Sequence, residues 1–208
     1  MTEGGRTLEQ ARHSVAFHEA GHAVAAFGFG HRILDVSIMS AAGELVDGNA
    51  GCARTVKPVT SLADAEQRIC VMLAGVACSM TAYATGALPR ELFRTTGPDE
   101  DLFVELELSA PVDSSPAAAA IYDGWTTKQD TPDEDQARVL AEAWTSSPEE
   151  AASLLRWLRL RTASLVEDPQ FQAHAGRIAA ALLEYDTLSG SHVEELLTRW
   201  DHIEGKAS

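Results

Sequence analysis

Within five consecutive residues, His18-Glu19-Ala20-Gly21-His22, the chain carries two imidazoles and a carboxylate. On a helix, positions i and i+4 lie one above the other on the same face, so His18 and His22 can aim ring nitrogens at a single zinc ion. Glu19 projects to one side of that pair. From there its carboxylate can hold and deprotonate a water bound to the ion, the general-base role this pattern has in metallopeptidases. The implied chemistry is metal-assisted amide hydrolysis: the ion acidifies the water and polarises the scissile carbonyl, Glu19 takes the proton, and the proton passes to the leaving amine.

A helix must position these groups, and the surrounding sequence supplies one. Thr7-Leu8-Glu9-Gln10 reads as a capping box, and Leu8, Ala11, Val15, Ala16, Ala20, Ala23, Val24 and Phe27 recur at helical spacing up to Gly28 and Gly30, which end it. The motif thus sits mid-helix on an apolar, buried element, where two histidines and a glutamate are costly unless they have partners. Catalytic zinc normally takes three protein ligands with water in the fourth position, so one ligand is still missing. The acids and histidines elsewhere in the chain are its candidates, and residue types alone do not choose among them.

After the motif helix, Ile33-Leu34-Asp35-Val36-Ser37-Ile38 is a short β-prone run, Ala42-Gly43-Glu44 a turn, and Leu45 to Thr55 a Gly-rich segment that can hold a second strand. A small hairpin or sheet beside the motif helix follows, serving either as an edge for an extended peptide or simply as a cover for the helix. Ser61 or Thr60 caps a helix running to about Tyr83, with Leu62, Ala65, Ile69, Met72, Leu73 and Val76 as its buried stripe. Apolar nearly all round at its centre, it is the element against which the motif helix should pack. Thr85 to Pro89 breaks the chain, and another helix begins near Pro98 with Asp99, Glu100 and Asp101 in its first turn, where acids offset the macrodipole.

The later chain reads as a helical scaffold. Thr131-Pro132-Asp133-Glu134 and Ser147-Pro148-Glu149-Glu150 are capping boxes with proline at the first helical position, and Asp168-Pro169 and Ser191-His192-Val193-Glu194 open two more helices. Leu154, Leu155, Leu158, Leu165, Phe171, Ile178, Leu182, Leu183, Val193, Leu196 and Leu197 supply the buried faces. His174, His192 and His202 read as surface or capping residues. His13 and His31 flank the motif helix and can touch substrate, although His13 is turned away from the ligand face.

Taken in order, several stretches resemble the peptidase domain of FtsH-type ATP-dependent zinc proteases. Phe17-His18-Glu19-Ala20-Gly21-His22-Ala23-Val24 is similar to that family's active-site helix, and Leu34-Asp35-Val36-Ser37-Ile38 to the strand that follows it. Leu73-Ala74-Gly75-Val76-Ala77 is similar to a Leu-Ala-Gly-Arg-Ala helix, and Ala180 to Gly190 to the closing Leu-Leu-Glu-x-Glu-Thr-Leu segment. Thr96-Gly97-Pro98-Asp99-Glu100-Asp101-Leu102 resembles Thr-Gly-Ala-Ser-Asn-Asp-Leu, whose last Asp is the third zinc ligand in the family, so the resemblance implies that Asp101 joins His18 and His22. It covers about residues 10 to 200 and implies a mainly α fold, a helical bundle with a small β-hairpin or sheet beside the zinc helix.

The departures are informative. The family joins its peptidase domain to a hexameric ATPase and usually to membrane helices, whereas this chain has no Gly-x-x-x-x-Gly-Lys-Ser/Thr loop and no spanning segment. Val76, Cys78 and Ser79 stand where the family has Arg, Ala and Glu, and Ser109 to Asp130, rich in Ala, Pro and Ser, matches nothing and reads as a loop.

Composition bounds the rest. A chain of 208 residues with 45% hydrophobic content builds one sizeable core, so a single domain over 1–208 is expected, with a zinc-site half at about 8–110 and a scaffold half at about 131–203. A net charge of −15 disfavours nucleic acid and anionic membranes as partners, and mildly favours basic peptides. The start Met1-Thr2-Glu3-Gly4-Gly5 lacks the basic and apolar regions of a signal peptide, and no apolar run approaches the ~20 residues of a bilayer crossing, which points to the cytoplasm without membrane insertion. Cys52, Cys70 and Cys78 form no CxxC pair, so a disulfide framework is not expected, and Cys70 and Cys78 read as small buried apolar residues.

The expected function is therefore a zinc peptidase acting on peptides or unfolded, flexible segments without an ATPase of its own. Two alternatives stand beside it. One is a peptidase subunit, a homo-oligomeric ring, that works with a separate ATPase. The other is a zinc-stabilised binding or regulatory module, against which the intact Glu19 argues, since a structural site closes its fourth position and needs no base.

Overall fold

The computed structural model of the chain describes residues 8–39, 52–87 and 132–204. Helix α1 (Leu8–Gly28) leads into strand β1 (Arg32–Ser37); β2 (Cys52–Val56) and α2 (Leu62–Ala84) follow. Helices α3 (Pro132–Ala143), α4 (Pro148–Val166) and α5 (Pro169–Tyr185), strand β3 (Thr187–Ser189) and helix α6 (Gly190–Glu204) complete the described elements. The fold is mainly helical with a small three-stranded antiparallel sheet, as the sequence implied. The helix expected near Pro98, the turn at Ala42-Gly43-Glu44, Asp101 and the 109–130 stretch lie outside the described residues.

Local sequence sets the element ends. Past the last turn of α1, Gly30 adopts φ +69°, its amide bonds the Phe27 carbonyl at 2.9 Å and the His31 amide bonds Ala26 at 2.8 Å. This is a Schellman closure, which glycine permits because a Cβ is penalised at that φ. Ser61 caps α2 by accepting from the Asp64 amide, and Ser147 caps α4 by accepting from the Glu150 amide at 3.2 Å. Glu150 reaches back to the Ser146 amide at 2.7 Å. Asp168 caps α5 by accepting from both Gln170 and Phe171.

The sheet order is β2-β1-β3, so the central strand is the one that follows α1 directly. Pairing with β2 shifts between Ile33 and Asp35, a bulge that leaves Leu34 outward and lets Ile33 join Val36 and Ile38 in the core. On the other edge, Val36 pairs with Leu188. The short strand β3 is not apparent in the sequence, since three residues are too few to show an alternating pattern.

One apolar cluster holds these parts together, with Val24 from α1, Ile69 and Leu73 from α2, Leu158 from α4, Ile178 and Leu182 from α5 and Val193 and Leu197 from α6. Helix α1 lies among α2, α5 and the sheet. Its approach to α2 is unusually close, because a Cβ on Gly21 would stand 2.5 Å from the Ala74 carbonyl oxygen and 2.6 Å from Cys78 Cβ. The glycine inside the His-Glu-Ala-Gly-His run thus brings the histidine face of α1 down onto α2. Cys70 and Cys78 are buried and free, and burial pushes the Cys78 thiol up to about 12. No described helix is long and apolar enough to cross a membrane.

Candidate metal centre

His18 and His22 face α2 and the first turn of α3. Their rings meet edge to face, with centroids 4.7 Å apart and planes at 79°, and their Nε2 atoms are 3.0 Å apart. Asp133, the second residue of α3, brings Oδ2 to 3.1 Å from His18 Nε2 and 3.3 Å from His22 Nε2. These three atoms form a nearly equilateral triangle. Donors held tetrahedrally at 2.0–2.1 Å from one zinc ion stand about 3.3 Å apart, so the triangle has the dimensions of one face of such a site. His18, His22 and Asp133 can therefore hold a metal ion.

The outer contacts fix which atoms do so. His22 Nδ1 lies 2.7 Å from the Val71 carbonyl oxygen. A carbonyl only accepts, so Nδ1 carries the proton and donates it, which leaves Nε2 as the nitrogen able to ligate; second contacts of this kind are the usual means of orienting a ligating histidine. Gly75, one helical turn beyond Val71 on α2, lies directly against both Nε2 atoms.

Charge in the cluster calls for a cation. Burial opposes a proton on His22, yet the hydrogen bond to Asp133, the charges of Glu19 and Asp133 and the Val71 carbonyl together raise it to about 9. Burial likewise works against charge on Asp133, but the hydrogen bonds from His18 and His22 hold it well below the usual carboxylate range. Asp133, Glu19 and the Val71 carbonyl favour a positive charge between the imidazoles and Asp133, against the cost of burial. A proton can serve, and a divalent ion that displaces it supplies more charge at the same point.

Glu19 is 5% exposed, and its Oε2 has no hydrogen-bond partner among the described residues. Burial raises its carboxyl above the ordinary value, with the nearby His22 and His18 pulling the other way. A buried carboxylate oxygen without a partner costs stability, and such groups concentrate where a reacting species will complete them.

Of the residues singled out from sequence, His18 and His22 lie side by side with Glu19 buried near them, while Asp101 lies outside the described residues. Asp133 was missed. Its sequence signal was an acid in a helix's first turn, which is also the signature of a cap, and only the packing of α3 on α2 turns it toward the histidines. The half of the chain read as scaffold thus contributes to the site. Two more histidines differ from the surface or substrate-facing roles expected of them. His174 is buried in α5, and His31 is 5% exposed with no hydrogen-bond partner on either ring nitrogen among the described residues. No protein-family model matches the chain, and no curated protein does.

Proposed function

We propose that this chain is a zinc-dependent peptidase, with His18, His22 and Asp133 as the metal ligands and Glu19 as the general base. The observation that carries the reading is the juxtaposition of two unlike carboxylates: Asp133 meets both histidines through Oδ2, whereas Glu19 is buried beside them with Oε2 unpartnered among the described residues. A purely structural site has no use for the second. The proposal includes the likeness to FtsH-type peptidase domains, with Asp133 as the acidic ligand.

Bound zinc supplies Lewis acidity, polarising a carbonyl and acidifying water. The protein's own groups do the rest. Val71 holds the His22 ring so that Nε2 is directed toward Asp133, and Asp133 would contribute an anionic ligand beside the two imidazoles. Glu19 takes the proton of the attacking water at a carboxylate oxygen and returns it to the leaving amine. Its burial favours that cycle, because a carboxyl raised above its ordinary value is a stronger base and gives the proton up closer to neutral pH. The substrates of this reading are short peptides, unfolded chains or flexible tails, which need no unfolding before cleavage.

The test is cleavage of a mixed fluorogenic peptide set and an unfolded protein by the zinc-loaded chain without ATP, with Glu19→Gln alongside. Cleavage by wild type that falls by ~10²–10⁴ in the variant, with zinc retained, supports the assignment. Equal turnover by the two proteins, or none by zinc-loaded wild type, refutes it.

A further inference from the structure

Gly75 sits in the interior of α2, where glycine is a poor helix former. Its surroundings explain its presence. A Cβ placed there would stand 2.4 Å from His22 Nε2, 2.7 Å from His22 Cε1 and 2.8 Å from His18 Nε2. These nearest neighbours belong to the two imidazoles, and two of the three atoms are the ligating nitrogens themselves.

We propose that Gly75 is a positioning residue of the metal centre: its missing side chain is the gap in which the two Nε2 atoms converge, and it thereby sets the affinity of the site for zinc. The inference rests on the reading of His18, His22 and Asp133 as a metal site.

Two further contacts make the gap obligatory. Helix α1 is pressed onto α2 where Gly21 meets Ala74 and Cys78, so the histidines approach α2 with no slack behind them. The His22 ring is also tied to Val71, one turn before Gly75 on the same helix, and cannot swing away from Gly75 without breaking that hydrogen bond. A methyl at position 75 therefore displaces one or both donor nitrogens and opens the triangle they form with Asp133. Gly176, in α5, supplies the contrast: nothing among the described residues lies within 4 Å of a Cβ placed there.

The experiment compares wild type, Gly75→Ala and Gly176→Ala for zinc affinity, by competition with a chromogenic chelator, and for the visible absorption of the cobalt(II)-loaded protein. Gly75→Ala is expected to bind zinc ~10–100-fold more weakly, the range typical of disturbed outer-sphere support, and to alter the cobalt spectrum, while Gly176→Ala matches wild type. Thermal unfolding of the metal-free proteins adds a second readout. The cost of Gly75→Ala should vanish in a His18→Ala/His22→Ala background, because the groups it clashes with are gone. If Gly75→Ala alone does not fold, that background should restore folding.

Wild-type zinc affinity and an unchanged cobalt spectrum in Gly75→Ala overturn the proposal, as does a stability cost that persists without the two imidazoles. Failure of wild type itself to bind zinc overturns the metal-site reading together with this inference, and is told apart because it appears before any glycine is changed.

Discussion

Asp133 Oδ2 lies 3.1 Å from His18 Nε2, although 115 positions separate the two residues in the chain. The contact joins the first described helix to the first turn of α3. Two histidines on one helix turn cannot by themselves close a three-donor site, so the geometry of the centre depends on how α3 is seated. Part of that seating is an ion pair: Arg159 of α4 reaches Glu134, the residue after Asp133, at 2.5 Å.

Asp133→Ala is expected to weaken zinc binding by more than the ~10–100-fold loss typical of an outer-sphere change, because it removes a donor and, among the described residues, the one carboxylate within hydrogen-bond reach of both imidazoles. Asp101→Ala should leave the affinity near that of wild type. Competition titration of both variants decides the third ligand: a loss confined to Asp101→Ala would return the assignment to the one implied by the family resemblance.

Much of the centre was legible in the sequence, and the limit has a physical cause. The His18 and His22 pair is local, fixed by helical periodicity alone, and Glu19 follows from its place between them. Asp133 and Gly75 owe their roles to tertiary packing. In sequence one is a helix-initiating acid and the other one residue of the Leu73-Ala74-Gly75-Val76-Ala77 stretch, and neither local pattern records which helix lies opposite.

Glu19→Gln should raise the stability of the metal-free protein. The buried carboxylate has an oxygen without a hydrogen-bond partner among the described residues, and an amide removes the charge that burial disfavours while keeping the shape. A gain on the order of 1 kcal/mol would appear as a melting midpoint raised by ~2–4 °C for a chain of this size. A lowered midpoint would mean that Glu19 is held by stabilising contacts and is not a strained catalytic group.

Ser147→Ala and Asp168→Ala should each cost about 1 kcal/mol, since each removes an acceptor for amides in the first turn of a helix. Chemical denaturation with an unchanged slope and a lowered midpoint is the expected record. These caps were readable in sequence because a cap is a contact over two or three residues. The β1 bulge and the β3 pairing were not, because Leu34 and Leu188 take their places from partners far along the chain.

Replacing Gly190 tests that distant pairing directly. A Cβ there would stand 2.0 Å from the Ile33 carbonyl oxygen and 3.1 Å from that of Leu34, so the corner between β3 and α6 is seated on the backbone of the β1 bulge. Backbone cannot step aside as a flexible side chain can, and Gly190→Ala should destabilise by at least the ~1–3 kcal/mol typical of overpacking. A variant as stable as wild type in urea would show that β3 does not lie on β1 in this way.

His31 gives the protein a pH dependence separate from the metal centre. Burial, with the positive charges of Lys57 and Arg68 and against the pull of Asp64, lowers it to about 4, from 6.5 in the unfolded chain. Between those values the unfolded chain binds the proton and the folded one does not, so stability rises with pH across this window. The contribution is fully present above pH ~6.5 and is lost as the pH falls toward ~4, on the order of 2–3 kcal/mol in all. Since other acid groups also shape the profile, the measurement is a difference: urea midpoints of wild type and His31→Gln, followed from pH 7 to pH 4. The wild-type curve should fall more steeply over that range, and parallel curves would show that His31 takes up its proton in the folded protein as readily as in the unfolded one.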